Sequence, residues 1–142
     1  MFVDETGSLI DGDAVLTALA ATHLDEGDTV VSAVNCSQRL VDLVEKRGAH
    51  LHLTPIGSTY LITAIRELQS RGERVSIAGE GNGGIIFPDY RIARDGAYTA
   101  VQFCELVADR AASDVLEEFG GYHRLQENIS YEDETERTAM VE

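Results

Sequence analysis

The stretch Arg74-Val75-Ser76-Ile77-Ala78-Gly79-Glu80-Gly81-Asn82-Gly83-Gly84-Ile85-Ile86-Phe87-Pro88-Asp89 sets a glycine-rich hexapeptide between two short apolar runs. Arg74–Ala78 reads as a strand that feeds the hexapeptide, and Ile85–Phe87 as a short strand that leaves it. Glycine has no Cβ, so it reaches positive φ without strain and lets a ligand approach the main chain closely. Glu80 and Asn82 are therefore the only side chains on a bare backbone. Two readings fit the hexapeptide by itself. One is a tight turn with two solvated polar residues; the other is a loop shaped for a small molecule, with Gly79 and Gly81 admitting it to the backbone.

Outward from this loop the chain alternates helix-like and strand-like segments. Phe2-Val3 ends a strand, and Asp4–Gly7 is a turn. Asp11–Leu24 carries Val15, Leu16, Leu19 and Ala20 at helical spacing, with Asp11 or Asp13 as N-cap. Thr29–Val34 is a nearly continuous apolar run, as a strand covered on both faces would be. Ser37 caps a helix that turns Leu40, Val41 and Val44 inward and stops at Gly48. His50-Leu51-His52-Leu53 alternates strictly, predicting a strand with one apolar face. Ser58–Arg71 is a helix burying Leu61, Ala64, Ile65 and Leu68. Asp95 caps a helix running to Ala111, with Cys104 on its inner face, and residues 113 to 119 add a short one. This order predicts an α/β domain whose largely parallel sheet has helices on both sides.

The loop, Phe87-Pro88-Asp89 and Arg94-Asp95-Gly96-Ala97 together resemble the sugar-binding region of the α-D-phosphohexomutases, the phosphomannomutase and phosphoglucomutase family. Val3–Gly7 with Ile10–Asp13, and Thr54-Pro55-Ile56-Gly57, agree in order and distance, so the resemblance spans about residues 2 to 110 and corresponds to that family's third domain. It implies a three-layer α/β/α sandwich around a four-stranded, mostly parallel mixed sheet of order 2-1-3-4. It also implies that Glu80 and Asn82 contact the O3 and O4 hydroxyls of a hexose phosphate, and that Asn35, Gly57 and Ser58 turn further polar groups or backbone toward it. Bacterial members carry a serine and a histidine where this chain has Asn82 and Gly84; the loop looks like the archaeal form. The family's catalytic serine loop and metal loop do not occur here, so Mg2+ is expected in the full-length enzyme and no cofactor in this part. By the same resemblance, residues 1–120 form the sugar-binding domain and residues 121–142 a linker toward a phosphate-binding domain, with Tyr131–Met140 opening its first helix. Other domains of the same chain are then expected partners.

Charge narrows the classes further. The 25 acidic residues outnumber 11 basic ones for a net charge of −14, and Lys46 is the single lysine. Such a surface repels nucleic acid, whose backbone is bound by positive charge. An acidic, lysine-poor surface spread along the chain resembles proteins of salt-loving archaea. No apolar run approaches the roughly 20 residues that span a bilayer, and no signal-peptide pattern opens the chain, so a cytoplasmic protein without membrane contact is expected. Cys36 and Cys104 have no metal or redox spacing and read as reduced packing residues.

Three other motifs are weighed on their chemistry. Gly79, Gly81 and Gly84 satisfy G-x-G-x-x-G, but an apolar run and Pro88 follow where a dinucleotide fold needs a helix, and Glu80 would face the phosphates. Asp11-Gly12-Asp13 could hold a hard cation weakly; capping and the helix dipole explain it with fewer assumptions. His50 and His52 share one side of a strand with no cysteine or acid at ligand spacing, as on a solvated face. There is no nucleophile elbow. The expected function is sugar recognition within a phosphohexomutase that interconverts hexose 1-phosphate and hexose 6-phosphate. The alternatives are a stand-alone, non-catalytic sugar-phosphate binding or regulatory module, and an unrelated nucleotide-binding domain.

Overall fold

Short antiparallel strands β1 (Phe2–Val3) and β2 (Leu9–Ile10) open the chain and pair with each other. The computed structural model describes residues 1–123, 125, 130 and 133. Helix α1 (Gly12–His23) follows at once, because the Asp11 carboxylate accepts the Ala14 amide at 2.8 Å and satisfies one of the amides that a helix start leaves open. Then come β3 (Thr29–Ala33), α2 (Gln38–Lys46), β4 (His50–Thr54), α3 (Ser58–Ser70), β5 (Val75–Gly79), β6 (Ile85–Ile86), α4 (Gly96–Leu106) and α5 (Ala112–Glu117).

The main sheet has the order β4-β3-β5-β6; the first three strands are parallel and β6 is antiparallel to β5. In chain order this is 2-1-3-4, as the resemblance implies. Successive strand residues point to opposite faces, and the core divides accordingly. Val30, Ile77 and Ile85 join α1 and α2 on one side with Phe103 of α4. Val31, Ala78 and Ile86 join Leu61, Ala64, Ile65 and Leu68 of α3 on the other. The result is the expected three-layer sandwich. Every residue of β3 is buried, as its apolar run requires for a strand with neighbours on both edges and helices on both faces.

Several details differ from the periodic reading. Residues 13 to 20 of α1 are all buried, not one face of them, because α1 packs against β5, α2, α4 and α5 together. Its fully buried leucines, Leu16 and Leu19, are each worth roughly 1.5–3 kcal/mol in area removed from water. Within α2, Leu43 takes the inner position beside Leu40 and Val44, and Val41 is only half-buried. Leu53 remains 47% exposed, since β4 is an outer strand with solvent along one edge. Helix α4 ends at Leu106 rather than Ala111 and buries Thr99 and Phe103. Cys104, one step of about 100° around the helix from Phe103, is exposed. The expected helix start over Tyr131–Met140 lies, Asp133 aside, outside the described residues.

Candidate functional site

Parallel strands bring their carboxyl ends to one edge of the sheet, where such folds place ligands. Here that edge gathers the segments after β3, β4 and β5, together with the start of α1. Ser32 Oγ donates to the Gly79 carbonyl at 2.8 Å, tying the end of β5 to β3. The hexapeptide then turns tightly: the Gly83 amide donates to the Glu80 carbonyl at 2.9 Å, and the Glu80 amide to the Gly84 carbonyl at 3.2 Å. Gly83 has a φ of 88°, in the left-handed region that suits glycine. Asn82 is exposed at the tip, and its Oδ1 accepts the Gly84 amide at 2.9 Å, leaving the carboxamide donors to face outward chemistry.

Glu80 is the unusual residue of the loop. Its side chain is only 5% exposed and is held from two directions. Oε1 accepts the Gly57 amide at 2.8 Å. Oε2 lies 3.5 Å from an Arg94 guanidinium nitrogen. Gly57 is the N-cap of α3, has no side chain to cap it and sits at φ 133°, a left-handed value. Glu80 thus supplies from a distant loop the carboxylate that helix starts favour, where amides and dipole both attract negative charge. Ser58 begins α3 beside it and is half-buried.

Asn35 is exposed in the turn after β3 and lines a cleft of about 790 Å³ with Asp11, Asp13, Ser37, Ile56 and His123. The fold therefore brings Glu80, Gly57 and Ser58 to one point and sets Asn35 in the adjoining cleft, reached through Ile56 next to Gly57. Asp13 is 6% exposed, accepts the Ser37 amide at 3.3 Å and backs the loop so closely that a Cβ on Gly81 would lie 2.7 Å from its Oδ2. Asp11-Gly12-Asp13 accordingly does more than start a helix: Asp11 caps it and Asp13 props the loop and the start of α2. The glycine between the two acids was the available signal. Arg94 reads in sequence as a positioning residue or a surface ion-pair partner; the fold makes it the partner of the one buried loop carboxylate.

The rival chemistries find little here. Burial pushes the Cys36 thiol up, against a hydrogen bond with Ser32, and the nearby Asp13 carboxylate raises it further, so it is no thiolate nucleophile at neutral pH. Cys36 and Cys104 are both free. His50 and His52 are exposed. Among the described residues no group of three or more His, Cys, Asp or Glu is placed to hold a metal ion. Among the same residues no helix is long and apolar enough to cross a membrane. After the glycine loop the chain enters β6, not a helix, which removes the dinucleotide reading.

Residues 11–122 match the phosphoglucomutase/phosphomannomutase alpha/beta/alpha domain III. The chain belongs to this family. It is 34% identical over 130 residues to a phosphoglucomutase/phosphomannomutase of Thermococcus kodakarensis, covering 89% of this chain and 27% of that protein. It is 33% identical over 137 residues to a phosphoglucosamine mutase of Cereibacter sphaeroides, covering 92% of this chain and 30% of that protein. The crystal structure of a phosphoglucomutase/phosphomannomutase family protein from Burkholderia thailandensis superposes with a TM-score of 0.73 at 25% identity, over 84% of this chain and 26% of that one. The chain thus spans less than a third of the length of these phosphohexomutase relatives.

Proposed function

We propose that this chain is the sugar-recognition domain of a phosphohexomutase that interconverts hexose 1-phosphate and hexose 6-phosphate. Residues 1–120 form the domain, and residues 121–142 lead toward a phosphate-binding domain of the same protein. Glu80 accepts hydrogen bonds from the O3 and O4 hydroxyls, Asn82 donates to them, and Gly79, Gly81, Gly57, Ser58 and Asn35 complete the surface that the sugar meets. The observation that carries this reading is the buried Glu80 carboxylate at the carboxyl edge of the sheet. A carboxylate fixed from behind by an amide and a guanidinium can take neighbouring hydroxyls without reorganising, which favours charge-assisted bonds.

The phosphoryl donor, and the Mg2+ that such mutases use, belong to other parts of the protein in this reading. The hexose is mannose, glucose or glucosamine, and the protein works in the cytoplasm. The net charge of −14 and the Asn82/Gly84 form of the loop support an archaeal, salt-adapted origin.

An NMR titration of the 15N-labelled chain with glucose 1-phosphate and with mannose 1-phosphate tests the sugar contact. Amides of Gly57 and Gly81–Gly84 should shift with both ligands, because the two hexoses differ only at C2. No shift with either sinks the sugar-contact role. The chain alone should convert neither ligand, and turnover above a vector control would overturn its assignment as one domain of the enzyme.

A further inference from the structure

Gly84 does not need glycine for its backbone, since its φ is not positive. It needs glycine for space. A Cβ there would lie 3.0 Å from Arg94 Nη1 and would overlap Arg94 Cδ outright. The arginine side chain crosses the loop through the volume that a side chain on residue 84 would occupy, and on that path its guanidinium comes within 3.5 Å of Glu80 Oε2. The backbone beneath is anchored too, because the next residue, Asp95, donates its amide to the Ile85 carbonyl at 3.3 Å and caps α4 through its side chain.

The terminal torsion of a glutamate is broad and roughly two-fold, so one bond from Gly57 to Oε1 leaves the carboxylate plane loosely set. An ion pair at Oε2 adds a second, directional attraction that favours one setting. We infer that Arg94 is a positioning residue for Glu80, and that residue 84 is glycine in order to admit it. This inference deepens the proposed sugar site and rests on Glu80 being its hydroxyl acceptor. Three segments are then coupled through one carboxylate: the glycine loop, the start of α3 and the start of α4. A hexose hydroxyl arriving at Oε2 shares that oxygen with Arg94 and finds it already aimed.

The test uses the whole 142-residue chain and the variants Arg94→Ala, Arg94→Lys and Gly84→Ala. Gly84→Ala displaces the arginine without altering either charged partner, and its φ suits alanine; because its Cβ would also lie 3.2 Å from Asn82 Oδ1, the Gly57 amide is its deciding readout and Arg94→Ala decides the affinity. In both Arg94→Ala and Gly84→Ala the Gly57 amide should exchange about 2- to 5-fold faster and glucose 1-phosphate should bind about 2- to 5-fold more weakly, the range for a partly exposed ion pair. Arg94→Lys should restore most of both. In a Glu80→Gln background, Arg94→Ala should add nothing further to the loss of affinity. Unchanged Gly57 exchange in both variants overturns the inference, as does an equal affinity loss on adding Arg94→Ala to Glu80→Gln. If Gly57 responds as expected while the unmodified chain binds no hexose phosphate, Arg94 does position Glu80 and it is the sugar-contact reading that fails.

Discussion

A Cβ on Gly12 would lie 2.5 Å from the Gly81 carbonyl oxygen, so the first residue of α1 and the glycine loop meet backbone against backbone. The Gly83 amide is closer still to that position. Neither neighbour is a flexible side chain that could step aside. The loop's shape is thus set from beneath by the start of α1 and by the bond that ties Glu80 to the Gly57 amide.

Gly12→Ala should therefore destabilise the fold by about 1–3 kcal/mol, the usual cost of overpacking, and should displace the loop. Gly96→Ala is the matched control: it too begins a helix, has no positive φ, and a Cβ there meets nothing within 4 Å. That change should stabilise by about 0.4–1 kcal/mol through the unfolded chain. Urea midpoints of the two variants decide it; equal shifts for both would contradict the backbone contact.

Glu80→Ala, made in the full-length mutase that this chain is proposed to belong to, should cost about 10- to 150-fold in kcat/KM, the worth of charge-assisted bonds of about 1.5–3 kcal/mol. The loss should be nearly equal for glucose and mannose phosphates, because O3 and O4 do not distinguish them. Glu80→Gln keeps an acceptor for the Gly57 amide and separates helix capping from sugar contact. A loss confined to one epimer would mean that Glu80 reads C2 instead.

Tyr122 donates its hydroxyl to Asp42 at 2.6 Å, and this bond, followed by that from Gln38, holds the Asp42 carboxyl below its ordinary range. A depressed native pKa makes a contribution that is present above the unfolded value, near 3.9, and disappears as pH falls through the native one. The Tyr122 contact should hold at pH 5 and let go only in stronger acid, below about pH 4. In an NMR titration, Tyr122→Phe should move the Asp42 midpoint up toward the ordinary value; identical midpoints would remove the coupling.

Salt should stabilise the fold. With a net charge of −14, repulsion within the native state falls as the Debye length shrinks from roughly 30 Å at 0.01 M to roughly 3 Å at 1 M. The melting temperature should climb as potassium chloride rises across that range. A flat or falling curve would remove the salt-adapted origin from the proposed function.

Local physics made much of this protein legible in its residues. Asp11, Ser37 and Asp95 each cap the helix expected of them, because a short oxygen-bearing side chain before an apolar period meets amides within its own turn. The apolar runs marked the strands, and the bare glycines marked Glu80 and Asn82 as the loop's only side chains. Strand order came from family resemblance, since period-2 alternation names no neighbour.

Tertiary packing alone decided which residues meet across the chain. Nothing near Glu80 in sequence reveals that its carboxylate closes the start of α3 at Gly57, 23 positions away, or that Asp13 backs Gly81. The same holds for faces. Periodicity assigns a helix one buried stripe, but α1 is enclosed by four elements and is buried over residues 13–20, while Cys104 turns out to solvent one step beyond Phe103. Hydrophobic period and capping act within a turn or a strand pair. The Glu80, Gly57 and Arg94 contacts exist only once the sheet has brought three separate loops to one edge.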